Sequence, residues 1–186
     1  MQIIKNKITM EFKEVIRKRR STRRYTGKPV EREKLQSAME LALLAPSSKN
    51  TRSTRLMAVT NLEKVHALGR LRDWGSSLLE EAGAAIIILG DKEASPMWEI
   101  NAALMANTLQ LALVDEGLAS CWVHVGEYRT LQDDPESQRS EDYVKEIVPE
   151  IPAEYRVLAV ISIGYADYTP KPLPEYEGPE RILFAE

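Results

Sequence analysis

The chain has 186 residues, 44% of them apolar and 28% charged, with a formal net charge of −3 at pH 7. That length suits one domain of about 100–200 residues, and so much apolar content at so small a net charge excludes disorder as the main state. One cysteine and two histidines exclude an intrachain disulfide and a multi-cysteine metal site, and such sparing use of cysteine leads us to expect a cytoplasmic protein.

Residues 1–9 read as a polar tail, or as a strand lent to a partner, and 10–186 as a single domain. The spacing of Phe12, Val15 and Ile16 predicts a helix over Glu11 to Arg19. Gly27–Pro29 marks a turn. A second helix is predicted from Glu31 to Leu44, with Leu35, Ala38, Met39, Ala42 and Leu43 as its apolar stripe and Pro46 as its stop. Ser47 to Thr54 reads as a polar loop, Leu56 to Thr60 as a short strand, Leu62 to Leu71 as a helix and Ser76 to Glu81 as a further short helix. Ala84 to Leu89, an unbroken apolar run between Gly83 and Gly90, has the pattern of a strand covered on both faces. Trp98 to Glu116 is apolar nearly all round, which predicts a long, central, buried helix capped by Gly117. Polar residues interrupt it too often for a membrane span, and the lysine-bearing N-terminus lacks the apolar core of a signal peptide. Leu118 to Val125 and Arg156 to Ile163 read as strands. Between them, 127–150 reads as a mobile polar loop with a short helix. Pro170 to Pro179 reads as an extended surface tail. Helices alternating with strands imply a mixed α/β or α+β layered fold around one sheet. So long a buried helix in so small a chain suggests a dimer.

Six of the eight residues from Arg17 to Arg24 are basic, on a chain that is otherwise acidic. Within this run, Arg19-Arg20-Ser21-Thr22-Arg23 sets guanidinium forks and a hydroxyl at a helix end. That chemistry matches phosphate oxygens, and equally a solvated helix terminus complementing its dipole. A nucleic-acid surface is the weaker reading, because no aromatic side chains interleave the cluster. Ala45-Pro46-Ser47-Ser48-Lys49-Asn50 supplies short polar side chains that suit either a ligand or the capping of the next turn. Gly117-Leu118-Ala119-Ser120-Cys121-Trp122 joins a helix cap to a strand start. Its backbone amides could face a ligand edge, and Cys121 and Trp122 could equally be plain core. The phosphate-cradling and dinucleotide glycine fingerprints are absent, as is the G-x-S-x-G elbow. His124 reads as a core histidine, His66 as an exposed one, and Cys121 as an inert buried thiol.

Taken together and in this order, the motifs resemble the FMN-dependent nitroreductase family over roughly residues 10–186. The first helix ends in Arg19-Arg20-Ser21-Thr22-Arg23. The second runs into Ala45-Pro46-Ser47 and on to Asn50. The long helix leads into Gly117-Leu118 and Cys121-Trp122, and the last strand ends in Gly164-Tyr165 before the proline-rich tail. The resemblance implies an α+β fold, a mixed sheet flanked by helices with a long central helix and an extended C-terminal tail. It also implies a homodimer with FMN bound between subunits, NADH or NADPH as electron donor, and a small-molecule acceptor such as a nitroaromatic or quinone, reduced by a ping-pong mechanism. Neither nucleic acid nor membrane is an expected partner.

Carried over by position, Arg19 and Ser21 hold the FMN phosphate and Lys171 joins them. Arg20 and Arg23 lie by the ribityl chain and the pyrimidine edge. Pro46, Ser47, Ser48 and Asn50 form the segment reaching FMN from the other subunit. Backbone around Cys121 and Trp122 approaches the ring system. The flavin carries the chemistry, so no catalytic side chain and no metal is expected. The chain departs from the family pattern at Arg52-Ser53-Thr54, where Gln-Pro-Trp is usual. Arg52 there adds a cation suited to an anionic substrate or the phosphates of NAD(P)H. Two alternatives stand beside this reading: a flavin-binding carrier or sensor without efficient turnover, and, more weakly, a nucleic-acid-binding module built on Arg17 to Arg24.

Overall fold

The structure is a computed structural model that describes residues 10–171 and 181–185; the expected N-terminal tail and nearly all of the proline-rich tail lie outside those residues. The helices are α1 (Phe12–Lys18), α2 (Arg32–Ala42), α3 (Leu62–Ala67), α4 (Trp98–Asp115) and α5 (Ser140–Ile147). The strands are β1 (Thr54–Val59), β2 (Ala84–Gly90), β3 (Ala119–His124) and β4 (Arg156–Gly164). The helix expected over Leu62 to Leu71 is α only to Ala67 and tightens to a 3₁₀ turn over Leu68–Arg70. The short helix before β2 is also 3₁₀, over Ser77–Glu81.

The four strands form one sheet in the order β1-β2-β4-β3, each neighbouring pair antiparallel. A parallel bridge between Ser21 and Ser120 ties the segment after α1 to the β3 edge. β2 and β4 are central, which accounts for the unbroken apolar sequence of β2 and for a β4 that between Val157 and Ile163 is broken only by Ser162. Along β2, Ile86 and Ile88 point to the face covered by α2 and α4, whereas Ala85, Ile87 and Leu89 point to the other. The first face packs on Leu35, Ala38, Ala102, Ala106, Leu109 and Leu113. The second packs on Val65, Leu68, Leu71, Leu79 and Val144, brought by α3, the 3₁₀ turns and α5. A sheet between two helical layers must be apolar on both sides, whatever its strand directions.

α5 is fastened to β4 by Glu141, whose carboxylate accepts from Arg156 Nε at 2.7 and 3.0 Å and from the Val157 amide at 3.2 Å. α4 lies across the sheet with Ala102, Met105, Ala106, Leu109 and Leu113 buried. Its opposite side carries Ile100 and Leu104, 52% and 43% exposed in the single chain. Gly117 ends the helix at φ 72°. There the Leu118 amide donates to the Leu113 carbonyl at 2.9 Å and the Gly117 amide to that of Val114 at 2.9 Å, the pattern of a left-handed C-terminal cap.

Candidate functional site

Arg19 is the C-cap of α1, its amide donating to the Val15 carbonyl. The chain then turns along the β3 edge, where the Thr22 amide donates to the Ser120 carbonyl at 3.0 Å. Tyr25 bolts this segment down. Its buried hydroxyl donates to the Thr22 carbonyl at 2.7 Å and lies 2.7 Å from Ser162 Oγ on β4. Burial pushes the Tyr25 phenol well above its ordinary pKa, so this anchor stays protonated.

The result is a cluster of cations on a fixed backbone. Arg19, Ser21 and Arg23 all lie within electrostatic reach of the Cys121 thiol. Arg20 donates to the carbonyls of Arg17, Arg19 and Lys171 at 3.0–3.2 Å, which draws Lys171 to the cluster from the far end of the sequence. Arg23 donates to the Ser21 carbonyl at 3.3 Å. Among the described residues, no carboxylate forms an ion pair with Arg19, Arg20 or Arg23. Uncompensated guanidinium groups around a short hydroxyl suit a phosphate oxyanion. Cys121 is buried, and that burial pushes its thiol up, so it offers no thiolate nucleophile.

The second motif sits elsewhere in the chain, at the N-terminal end of α4. Ser47 Oγ accepts from the Arg52 amide at 3.0 Å, and Asn50 Oδ1 from Arg52 Nε at 3.3 Å. The Ser48 amide donates to Asn101 Oδ1 on α4 at 2.8 Å. Lys49, Asn50 and Arg52 all have φ near +50°, a region that non-glycine residues enter at a cost in strain. Pro46, Ser48 and Asn50 are exposed and Ser47 is half-buried. Among the described residues, no hydrogen bond or ion pair joins this loop to the Arg19–Arg23 cluster.

Trp122 is half-buried against the α2–α4 layer and stacks on His124, ring centroids 6.1 Å apart at 18°. His124 corrects the expectation of a core histidine, since it is only half-buried. Tyr128 meets its ring edge-on at 5.9 Å. Burial and the nearby Arg72 hold His124 below its ordinary pKa. His66 is likewise half-buried, not exposed, and its Nε2 has no partner among the described residues. Arg72 escaped the sequence reading. It lies over the Tyr128 ring at 3.7 Å and the Trp74 ring at 4.7 Å, and donates to the His124 carbonyl at 3.3 Å. Asn101 escaped it too, although a buried amide on a helix apolar nearly all round was a visible signal. Among the described residues, no cluster of His, Cys, Asp or Glu is placed to hold a metal, and no helix is long and apolar enough to cross a membrane.

The nitroreductase family model matches residues 16–74 and 63–165, which include α2, all four strands and α4. This chain belongs to the nitroreductase family. Among solved structures, this nitroreductase-family chain is similar to an FMN-dependent nitroreductase from Clostridium difficile R20291. The two are 34% identical over 92% of this chain and 98% of that one, with a TM-score of 0.83. A protein of Archaeoglobus fulgidus with the provisional name NADH dehydrogenase/NAD(P)H nitroreductase is 27% identical, over 83% of this chain and 85% of its own. The NADPH:FMN oxidoreductase from Vibrio harveyi complexed with NAD+ is 20% identical over 94% of this chain and 77% of that one, with a TM-score of 0.74, a likeness of fold alone.

Proposed function

We propose that this nitroreductase-family chain, with residues 10–186 as one FMN-binding domain, is a cytoplasmic, homodimeric NAD(P)H-dependent oxidoreductase. It passes electrons through FMN to a nitroaromatic, a quinone or a related small electrophile. The observation that carries the reading is the Arg19–Ser21–Arg23 cluster, bolted to the sheet beside Cys121 and lacking a carboxylate partner among the described residues. Arg19 and Ser21, with Lys171 from the tail, hold the phosphate of FMN. Arg20 and Arg23 stand by the ribityl chain and pyrimidine edge, where a cation favours the reduced, negatively charged ring. Backbone around Cys121 and Trp122 faces the ring system.

Pro46, Ser47, Ser48 and Asn50 form the partner-facing side of a second site. Their separation from the arginine cluster within one chain supports a site completed by two subunits, and the exposed Ile100 and Leu104 of α4 support an apolar interface. FMN, when bound, supplies hydride uptake and delivery, so the protein needs no nucleophile, acid or metal of its own. Donor and acceptor visit one face in turn, a ping-pong order. Arg52, beside Asn50, adds positive charge suited to an anionic acceptor or the donor's phosphates.

The deciding experiment is an absorbance spectrum of the purified protein under argon, before and after NADH and then NADPH. Flavin bands that bleach with either donor are the expected result, and the more efficient donor is then known. Flavin bands that persist with both donors turn the reading into a carrier or sensor. A colourless protein that takes up no added FMN ends it.

A further inference from the structure

Asn101 is the most completely engaged polar side chain near the candidate site. It sits in the first turn of α4 at 2% exposure. Its Oδ1 accepts from the Ser48 amide at 2.8 Å, and its Nδ2 faces Ser53 Oγ at 3.0 Å, Ser95 Oγ at 3.3 Å and Thr51 Oγ1 at 3.4 Å. The orientation of the amide follows from chemistry: the Ser48 N–H can only donate, so the oxygen must face it, and the nitrogen's two N–H donors are shared among the three hydroxyls. One side chain thus holds three points of the 48–53 loop.

That loop contains Lys49, Asn50 and Arg52 in left-handed backbone geometry, none of them glycine. Such a conformation persists only where its surroundings over-determine it. The other restraints are local: Ser47 and Asn50 onto Arg52, Arg55 Nη1 onto the Arg52 carbonyl at 2.9 Å, and the Asn50 and Thr51 amides onto the Ser47 and Ser48 carbonyls, while the Ser53 carbonyl accepts from the Asp91 amide at 2.8 Å. Among the described residues, Asn101 provides the hydrogen bonds that link the strained part of the loop to α4. The same turn of α4 exposes Ile100, so the loop is referenced to the helix face read above as the subunit interface.

We infer that Asn101 is a positioning residue of the cofactor site, acting through the 47–53 loop to present Ser47, Ser48 and Asn50 in their binding geometry. The inference rests on the FMN-site reading given above. Without the side chain, the loop relaxes toward ordinary backbone angles and its polar groups leave their places. Asn101→Asp is the conservative test. A carboxylate still accepts from the Ser48 amide, and the serine and threonine hydroxyls can turn to donate to it; the first turn of a helix also favours a negative charge.

The experiment titrates apoprotein with FMN, following quenching of flavin fluorescence, for wild type, Asn101→Ala, Asn101→Asp and Leu109→Ala. Leu109 is buried on the same helix, so its truncation controls for a general loss of stability. Backbone hydrogen exchange of the apoproteins reports on residues 48–53. The expected result is an FMN Kd raised at least tenfold in Asn101→Ala with faster exchange confined to that loop, restoration to within about threefold in Asn101→Asp, and a Kd within about twofold of wild type in Leu109→Ala. Wild-type FMN affinity in Asn101→Ala, or equal weakening in Leu109→Ala, overturns the proposal and leaves the FMN reading standing. A wild-type protein that binds no FMN overturns both.

Discussion

Arg19 has no acidic partner among the described residues and a backbone fixed by the α1 cap, which leaves its guanidinium available to an anion. Losing a charge-assisted hydrogen bond of this kind costs about 1.5–3 kcal/mol. Arg19→Ala is therefore expected to weaken FMN binding roughly 10- to 150-fold, measured by titration of the apoprotein; an unchanged Kd removes Arg19 from the phosphate role. His124 makes a pH prediction. Burial, and then Arg72, hold its folded-state pKa below the ordinary value, whereas the unfolded chain takes up a proton near pH 6.5. Below that pH the unfolded state binds more protons, so stability falls as pH falls. Thermal melting between about pH 7.5 and 5.5 should show this acid slope, and His124→Gln should flatten it. Equal slopes in the two proteins refute the assignment. The arginines were legible as a run of charge. Arg72 was not, because its rings come from Trp74 and from Tyr128, more than fifty positions away.

Helices and strands were the more legible level. The 3.6-residue spacing of Leu35, Ala38 and Ala42 set out α2, and the bounded run from Ala84 set out β2, because both patterns are local. Gly117 belongs to this scale as well. At φ 72°, with nothing within 4 Å of where a Cβ would stand, its replacement by alanine meets only backbone strain. Gly117→Ala is expected to cost about 1 kcal/mol and lower Tm by roughly 2–4 °C, without changing FMN affinity. An unchanged Tm shows that the cap contributes nothing. The 3₁₀ turns at Leu68–Arg70 and Ser77–Glu81 were read as helix, since side-chain spacing over a single turn does not separate the two geometries.

For the whole molecule, the outward side of α4 presents apolar surface, with Ile100 and Leu104 exposed, and α1 adds exposed Phe12 and Ile16. Two-subunit assembly through this face makes two linked predictions. Leu104→Glu should shift the sedimentation coefficient from a dimer to a monomer, and FMN should be lost with the partner's contribution to the site. A wild-type protein that sediments as a monomer refutes the assembly. A monomeric variant that keeps full FMN affinity refutes the shared site.

From the sequence alone came the number, order and approximate limits of the elements, the central place of β2 and α4, and the residue types of the basic cluster after α1. Each depends on neighbours a few positions apart, through periodicity, capping and breakers. Tertiary structure decided the β1-β2-β4-β3 order, the seating of Ser21 beside Ser120, the approach of Lys171 to Arg20, and the hold of Asn101 on the 48–53 loop. Those arrangements join residues far apart in the chain. They follow from burying both faces of one sheet under separate helical layers, a requirement of the whole core that no local pattern encodes.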